Sequence, residues 1–214
     1  MRKRLDLSVY LVTDPRLCAG LGLVETALAA VHGGAGIVQL RDTQAGGRAL
    51  VEQARALVAA LRPLGVPVIV NDRIDVALAA DADGVHVGQS DMAPADVRAL
   101  IGPDLILGLS AREHDEIAAA DPALVDYLGI GPIFAVDART KPNAAEPLGI
   151  GGFAARRLAS PLPVVAIGGI QEQHVAPLIA IGADGVAVVS AICGQPDPQA
   201  AAYGLAEAVR SIRH

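Results

Sequence analysis

The sequence predicts a single (β/α)8 TIM barrel occupying residues 1–214 as one domain. Short β-branched runs alternate with Ala/Leu-rich stretches of helical spacing along the whole chain. Eight such units share 214 residues, close to the smallest size at which a closed barrel forms. The strands are almost continuously apolar, so both faces need cover, which a parallel sheet wrapped in helices supplies. An open doubly wound sheet would usually carry a Gly-rich phosphate loop after its first strand, and Val12-Thr13-Asp14-Pro15 is no such loop.

In chain order, strands are expected at 9–13, 37–41, 67–71, 84–87, 105–110, 127–130, 164–167 and 186–189. Between the second and third lies the clearest crossover helix, 47–61. There Leu50, Ala54, Leu57, Val58 and Leu61 share one face, while Arg48, Glu52, Gln53 and Arg55 fall elsewhere. Ala82-Asp83-Gly84-Val85 recurs as Ala183-Asp184-Gly185-Val186, with Gly34-Ala35-Gly36-Ile37 a looser copy. Each copy stands where a helix ends and a strand begins, so the pattern is read as structural, with Gly permitting the turn. The one long connection, 134–150, contains Pro142, Asn143 and Pro147 and is expected to form a loop over the site.

The composition excludes several classes of partner. The net charge is -6, no basic block exists, and the aromatics are three Tyr and two Phe, so neither phosphate neutralisation nor base stacking on nucleic acid is provided for. Met1-Arg2-Lys3-Arg4 imitates the head of an export signal, but Asp6 and Asp14 interrupt the apolar stretch that should follow. Apolar runs are broken before they reach the length that spans a bilayer. A cytoplasmic protein without membrane contact is therefore expected, with Cys18 and Cys193 as reduced, buried thiols. Small-molecule substrates are the expected partners, and a homo-oligomer stays open.

In such a barrel the C-terminal ends of the strands form the active face. Standing there are Gln39 and Arg41, then Asn71-Asp72-Arg73, then Gly88-Gln89-Ser90-Asp91, Ser110, Thr140-Lys141, Gly168-Gly169 and Val189-Ser190. Asp72 and Asp91 follow neighbouring strands, and two hard oxygen anions beside Asn71 and Arg41 suit Mg2+. The competing reading makes Asp72 or Asp75 the cap of the helix starting at Val76, and Asp91 the cap of the one starting at Pro94. Gly168-Gly169 and Ser190 sit where barrels commonly bind phosphate, although a Gly-Gly pair can also be a plain turn. Arg41 and Lys141 would serve a second phosphate group, unless Arg41 pairs with Asp42. His86, between two valines, is read as a hydrogen-bonded interior residue rather than a base; His32, His114 and His174 match no catalytic triad or metal pattern, with His174 kept as a candidate for its place close to the phosphate turn. Charge stabilisation by a metal and by donors then has to carry the chemistry.

Taken together, these motifs resemble the thiamine phosphate synthase family. The matching strings are Tyr10-Leu11-Val12-Thr13-Asp14, Val38-Gln39-Leu40-Arg41, Asn71-Asp72-Arg73, Gly84-Val85-His86-Val87-Gly88-Gln89 with Asp91, Gly108-Leu109-Ser110, Gly131-Pro132-Ile133-Phe134, Ala166-Ile167-Gly168-Gly169-Ile170 and Gly182-Ala183-Asp184-Gly185-Val186. The resemblance implies a transferase that joins hydroxymethylpyrimidine pyrophosphate to thiazole phosphate, releasing pyrophosphate and forming thiamine phosphate. It implies Asp72 and Asp91 as Mg2+ ligands. It implies Gln39, Arg41, Asn71, Ser110 and Lys141 around the pyrimidine and its pyrophosphate, with Arg41, Ser110 and Lys141 carrying catalysis. Thr140, Gly169, Val189 and Ser190 are implied around the thiazole phosphate. In the family the pyrophosphate leaves first and the thiazole nitrogen captures the resulting pyrimidine cation.

Two features depart from the family pattern. Thr43 stands where the family usually has Lys, which removes a cation from the pyrophosphate and would weaken or redirect activity. The loop Ala135-Val136-Asp137-Ala138-Arg139-Thr140-Lys141 is altered and longer, and Arg139 is a candidate replacement for the missing charge. Two alternatives follow: a thiazole tautomerase-like isomerase, which shares the barrel but needs no pyrophosphate machinery, and a non-catalytic binder of thiazole phosphate or thiamine phosphate.

Overall fold

The computed structural model describes residues 5–137 and 145–213. Eight parallel strands close in sequence order into a barrel. They are β1 (Val9–Val12), β2 (Ile37–Leu40), β3 (Val68–Asn71), β4 (Gly84–Val87), β5 (Ile106–Ser110), β6 (Tyr127–Ile130), β7 (Val164–Ile167) and β8 (Gly185–Val188). The outer ring comprises α2 (Leu23–His32), α3 (Gly47–Leu61), α4 (Ile74–Ala80), α5 (Pro94–Ile101), α6 (His114–Ala118), α7 (Gly149–Ala159), α8 (Glu172–Ala180) and α9 (Pro198–Arg213), with a one-turn α1 (Pro15–Cys18) after β1. The expected barrel and crossover helix are both present. The expected long loop is shorter at its end, because α7 already begins at Gly149.

Side-chain alternation divides each strand between two cores. Val9, Leu11, Val38, Leu40, Val85 and Val87 face the helices. Tyr10, Val12, Ile37, Ile69, Tyr127, Val165 and Ala187 fill the barrel interior. Parallel pairing places His86 opposite Gly108, and Gly108 opposite Tyr127. A side chain at Gly108 would collide with both rings, so the glycine makes room for them.

The Ala-Asp-Gly-Val repeat is structural, as expected, but its reason is different. Gly84 and Gly185 lie in strands that press against the Ile106 and Leu7 carbonyls, where a Cβ does not fit. Asp83 and Asp184 each reach back to the preceding strand: Asp83 accepts from Val68 N at 2.9 Å and Asp184 from Val164 N at 2.8 Å. Each carboxylate thus satisfies the first N–H of the adjacent strand. The left-handed turns fall instead on Gly34 and Gly182.

Cys18 and Cys193 are buried free thiols, as expected, and the fold brings their sulfurs to 3.3 Å. Among the described residues, no helix is long and apolar enough to cross a membrane.

Candidate active site

A cavity of about 590 Å3 opens at the C-terminal ends of the strands, within the range of small-ligand sites. Gln39, Arg41, Asn71, Ser110, Gly169, Val189 and Ser190, all expected at the site, line it together. Thr140 and Lys141, with Arg139, lie outside the described residues. The flanking residues Ala135, Val136, Asp137 and Ala145 line the cavity, so the long connection does border the site.

Arg41 is placed by its own backbone, whose N–H donates to Thr13 Oγ1 at 3.1 Å. The suggested pairing with Asp42 does not form. Asp42 instead accepts from Gln44 N, Ala45 N and Gln53 Nε2, folding the turn back on itself. The Arg41 guanidinium is left to act electrostatically on Asp72.

Asp72 and Asp91 converge beside the cavity, adjoining its lining residues Asn71 and Gln89 rather than forming part of the wall. Asn71 Nδ2 donates to Asp72 Oδ2 at 2.6 Å, and Gly88 N donates to Asp91 Oδ2 at 2.7 Å. Desolvation and then the neighbouring Asp91 push the Asp72 carboxyl up to about 6, against the opposing pull of Arg41 and Asn71. The capping alternative fails for all three candidates. Helices α4 and α5 start after Arg73 and Ala93 without a side-chain cap, and Asp75 is engaged by Arg73. Asp72 also adopts φ 58°, a left-handed conformation that Asp tolerates better than most residues and that keeps its carboxyl directed to this corner.

The donor set fits a hard divalent cation. Two carboxylates converge there, and burial and the Asp91 charge raise the Asp72 carboxyl, a repulsion that a cation would relieve. Among the described residues no third His, Cys, Asp or Glu joins the group, so an ion there would take its remaining ligands from water and phosphate oxygens, the habit of Mg2+.

On the opposite rim, Gly168 and Gly169 have φ 101° and 65°. The Gly168 carbonyl is tied to the connection after β6, accepting from Phe134 N at 2.9 Å. A Cβ on Gly169 would strike the Ala135 carbonyl. Ser190 follows β8, and its carbonyl is held by Gln195 Nε2 at 2.7 Å. His174 caps α8 through Gln171 N and stacks on Phe134 with centroids 4.0 Å apart, which explains it as a structural residue.

Several cavity residues were not assigned to the site from the sequence. Tyr10, His86 and Tyr127 form its floor, and Arg112 and Glu116 its wall after β5. Tyr10 reads as an ordinary interior position in an apolar strand, whereas His86 is the hydrogen-bonded interior residue that was expected. Strand alternation, carried through the register, is the signal that places them on the same inner face as Gln39. Arg112 is fixed at both backbone ends, its N–H donating to Glu116 and its C=O accepting from Arg156. Its Nη1 is buried without a partner.

Known proteins resemble this chain over nearly its whole length. The family model described as "Thiamine monophosphate synthase" matches residues 9–192. The thiamine-phosphate synthase of Xanthobacter autotrophicus is 58% identical over 213 residues, covering 100% of both chains. That of Azorhizobium caulinodans is 50% identical over 208 residues and 97% of each chain. Among solved structures, the thiamine phosphate pyrophosphorylase from Pyrococcus furiosus superposes with a TM-score of 0.86 at 35% identity, covering 98% of both chains. With the family model spanning the barrel from β1 to the turn after β8, this chain belongs to the thiamine monophosphate synthase family.

Proposed function

We propose that this protein condenses hydroxymethylpyrimidine pyrophosphate with thiazole phosphate, forming thiamine phosphate and releasing pyrophosphate in a Mg2+-dependent reaction. The observation that carries the reading is the convergence of Asp72 and Asp91 beside Arg41 and Asn71 at the mouth of a cavity whose far rim is Gly169 and Ser190. One edge suits a diphosphate and the other a single phosphate, which is the polarity that two phosphorylated substrates require. An isomerase of thiazole phosphate would use only the second edge.

Asp72 and Asp91 would hold the Mg2+, which when bound supplies Lewis-acid stabilisation to the departing diphosphate. Arg41 adds a fixed cation beside the same oxygens, and Asn71 and Ser110 add hydrogen-bond donors. Lys141 and Thr140 are assigned to the diphosphate and thiazole ends respectively by resemblance. Backbone N–H groups near Gly169, Val189 and Ser190 hold the thiazole phosphate, so the two reactants meet in one orientation and the reaction gains from proximity. The thiazole ring nitrogen is already nucleophilic, and no general base is called for.

Pyrophosphate release in the presence of both substrates, with and without Mg2+, tests the reading. Release that needs both substrates and the cation is expected, and Asp72→Asn or Asp91→Asn should reduce it by at least about 100-fold. Normal turnover by both variants would refute the metal assignment. No release by the wild-type protein under any condition would refute the transferase.

A further inference from the structure

The cavity floor carries a polar chain that runs across the barrel from Gln39 to Ser110. Gln39 Nε2 donates to Tyr10 Oη at 2.8 Å, and Tyr10 Oη lies 2.7 Å from Tyr127 Oη. Tyr127 Oη lies 3.0 Å from His86 Nδ1, and His86 Nε2 lies 2.9 Å from Ser110 Oγ. Tyr10 and Tyr127 are 1% and 0% exposed, so water does not substitute freely for the link between them. The rings also hold one another, with Tyr127 tilted against both Tyr10 and His86.

With the Gln39 amide nitrogen turned toward Tyr10, counting protons gives the chain one direction. In a closed interior each N–H and O–H needs an acceptor. Tyr10 accepts from Gln39, so its own proton goes to Tyr127. Tyr127 then gives its proton to His86 Nδ1. The imidazole is therefore neutral, carries its hydrogen on Nε2, and donates to Ser110 Oγ. An imidazolium would offer a second donor to Tyr127 and leave the phenol proton without an acceptor. The opposite direction would require Gln39 to turn its carbonyl toward Tyr10. Two consequences appear at the ends: Gln39 Oε1 is presented as an acceptor, and the Ser110 hydroxyl, already an acceptor from His86, is released to donate into the cavity.

We propose that Tyr127 and His86 are positioning residues for the transferase, acting through this chain to hold Ser110 as a donor and Gln39 as an acceptor toward the bound pyrimidine substrate. The proposal rests on the function argued above for the identity of that ligand, while the order of the chain stands on the geometry alone. If the hydroxyl of Tyr127 is removed, Nδ1 loses its donor and the imidazole is free to take the other tautomer. Ser110 would then donate to His86 and no longer to the ligand.

The test combines 15N spectroscopy of labelled histidine with kinetics of Tyr127→Phe, Ser110→Ala and the double variant. In the wild-type protein the His86 proton is expected on Nε2. Tyr127→Phe is expected to lower kcat/KM for the pyrimidine pyrophosphate by about 10-fold, with the KM for thiazole phosphate within about twofold of wild type. Because the effect passes through Ser110, the double variant should lose little beyond Ser110→Ala alone. A proton on Nδ1 in the wild-type protein, or fully additive losses in the double variant, would overturn the proposal. A wild-type protein that releases no pyrophosphate would sink the functional reading alone, with the tautomer still deciding the order of the chain.

Discussion

The Asp72 carboxyl stands within hydrogen-bonding reach of Asp91, so two acids from adjacent barrel units share one corner of the site. Desolvation and Asp91 push Asp72 up to about 6, above the ordinary carboxylate value near 4 in an unfolded chain. Between those values the folded protein binds a proton that the unfolded chain does not. Stability of the metal-free protein therefore falls as pH rises from about 4 to about 6. Asp72→Asn keeps a side chain that tolerates the left-handed backbone and removes this penalty, so its melting temperature relative to wild type should improve across that window. Mg2+ should raise the wild-type melting temperature at pH 7.5 and much less at pH 5, where the proton competes. A Mg2+ shift of equal size at both pH values, or one retained in Asp72→Asn, would contradict the assignment.

Gly169 combines φ 65° with a Cβ direction blocked by Ala135. Gly169→Ala should therefore strain the turn and displace the start of the β6 connection, costing about 1 to 3 kcal/mol. The kinetic signature expected is a rise of about 10-fold or more in the KM for thiazole phosphate. Gly151→Ala serves as the comparison, because that helical glycine has open space where the methyl would go and no positive φ. It should be neutral or slightly stabilising. Equal KM values in the two variants would detach Gly169 from phosphate binding.

The barrel was legible because its strands are short and apolar, β2, β4 and β8 being introduced by glycine, and because α3 has an unbroken apolar stripe that the structure buries residue for residue. The expected start of β8 slipped by one position. Gly185 reads as a turn residue, yet it pairs with Val165 as the first residue of the strand. At the site, the polar strand ends were legible as single residues, since polar groups at that end of apolar strands have few structural uses. The Gln39–Tyr10–Tyr127–His86–Ser110 chain was not, because Tyr and His inside apolar strands look like filling. Only the register, with Asn71 opposite His86 and Gly108 opposite Tyr127, shows that their polar atoms meet. Capping was a fair expectation for Asp72 and Asp91 on residue type alone. It failed because α4 and α5 begin one or two residues further along than a cap from either acid would need.

Arg98 and Asp126 tie the base of the barrel together, and both side chains are about nine-tenths buried, at 10% and 9% exposure. The Arg98 guanidinium donates to the Gly102, Leu105 and Leu124 carbonyls as well as to Asp126 Oδ2, which also accepts from Leu107 N. Arg98→Ala would leave three carbonyls and a carboxylate without this donor. A loss of about 3 to 5 kcal/mol is expected, on the scale of roughly 10 °C in melting temperature. The residue lies away from the cavity, so turnover per folded molecule should stay near wild type at a temperature where the variant is folded. A melting temperature unchanged by the substitution would show that the pair contributes nothing net.

Thr43 occupies the position where the family usually carries Lys, in the turn that follows Arg41. Its side chain is exposed and meets Gln44 Nε2 at 3.4 Å, a weak contact whose loss should not disturb the fold. Restoring the cation by Thr43→Lys would place a second positive charge near Arg41 without burying it. If the diphosphate binds at this edge, the KM for the pyrimidine pyrophosphate should fall by about 3- to 10-fold at low ionic strength, and the gain should shrink in 0.5 M salt as the charges are screened. The KM for thiazole phosphate, which the proposal places at the Gly169 and Ser190 edge, should not change. A KM for the pyrimidine substrate that is indifferent to both the added Lys and the salt would mean that the diphosphate lies elsewhere. The pairing of Arg41 with the Asp72 and Asp91 corner would then need another explanation.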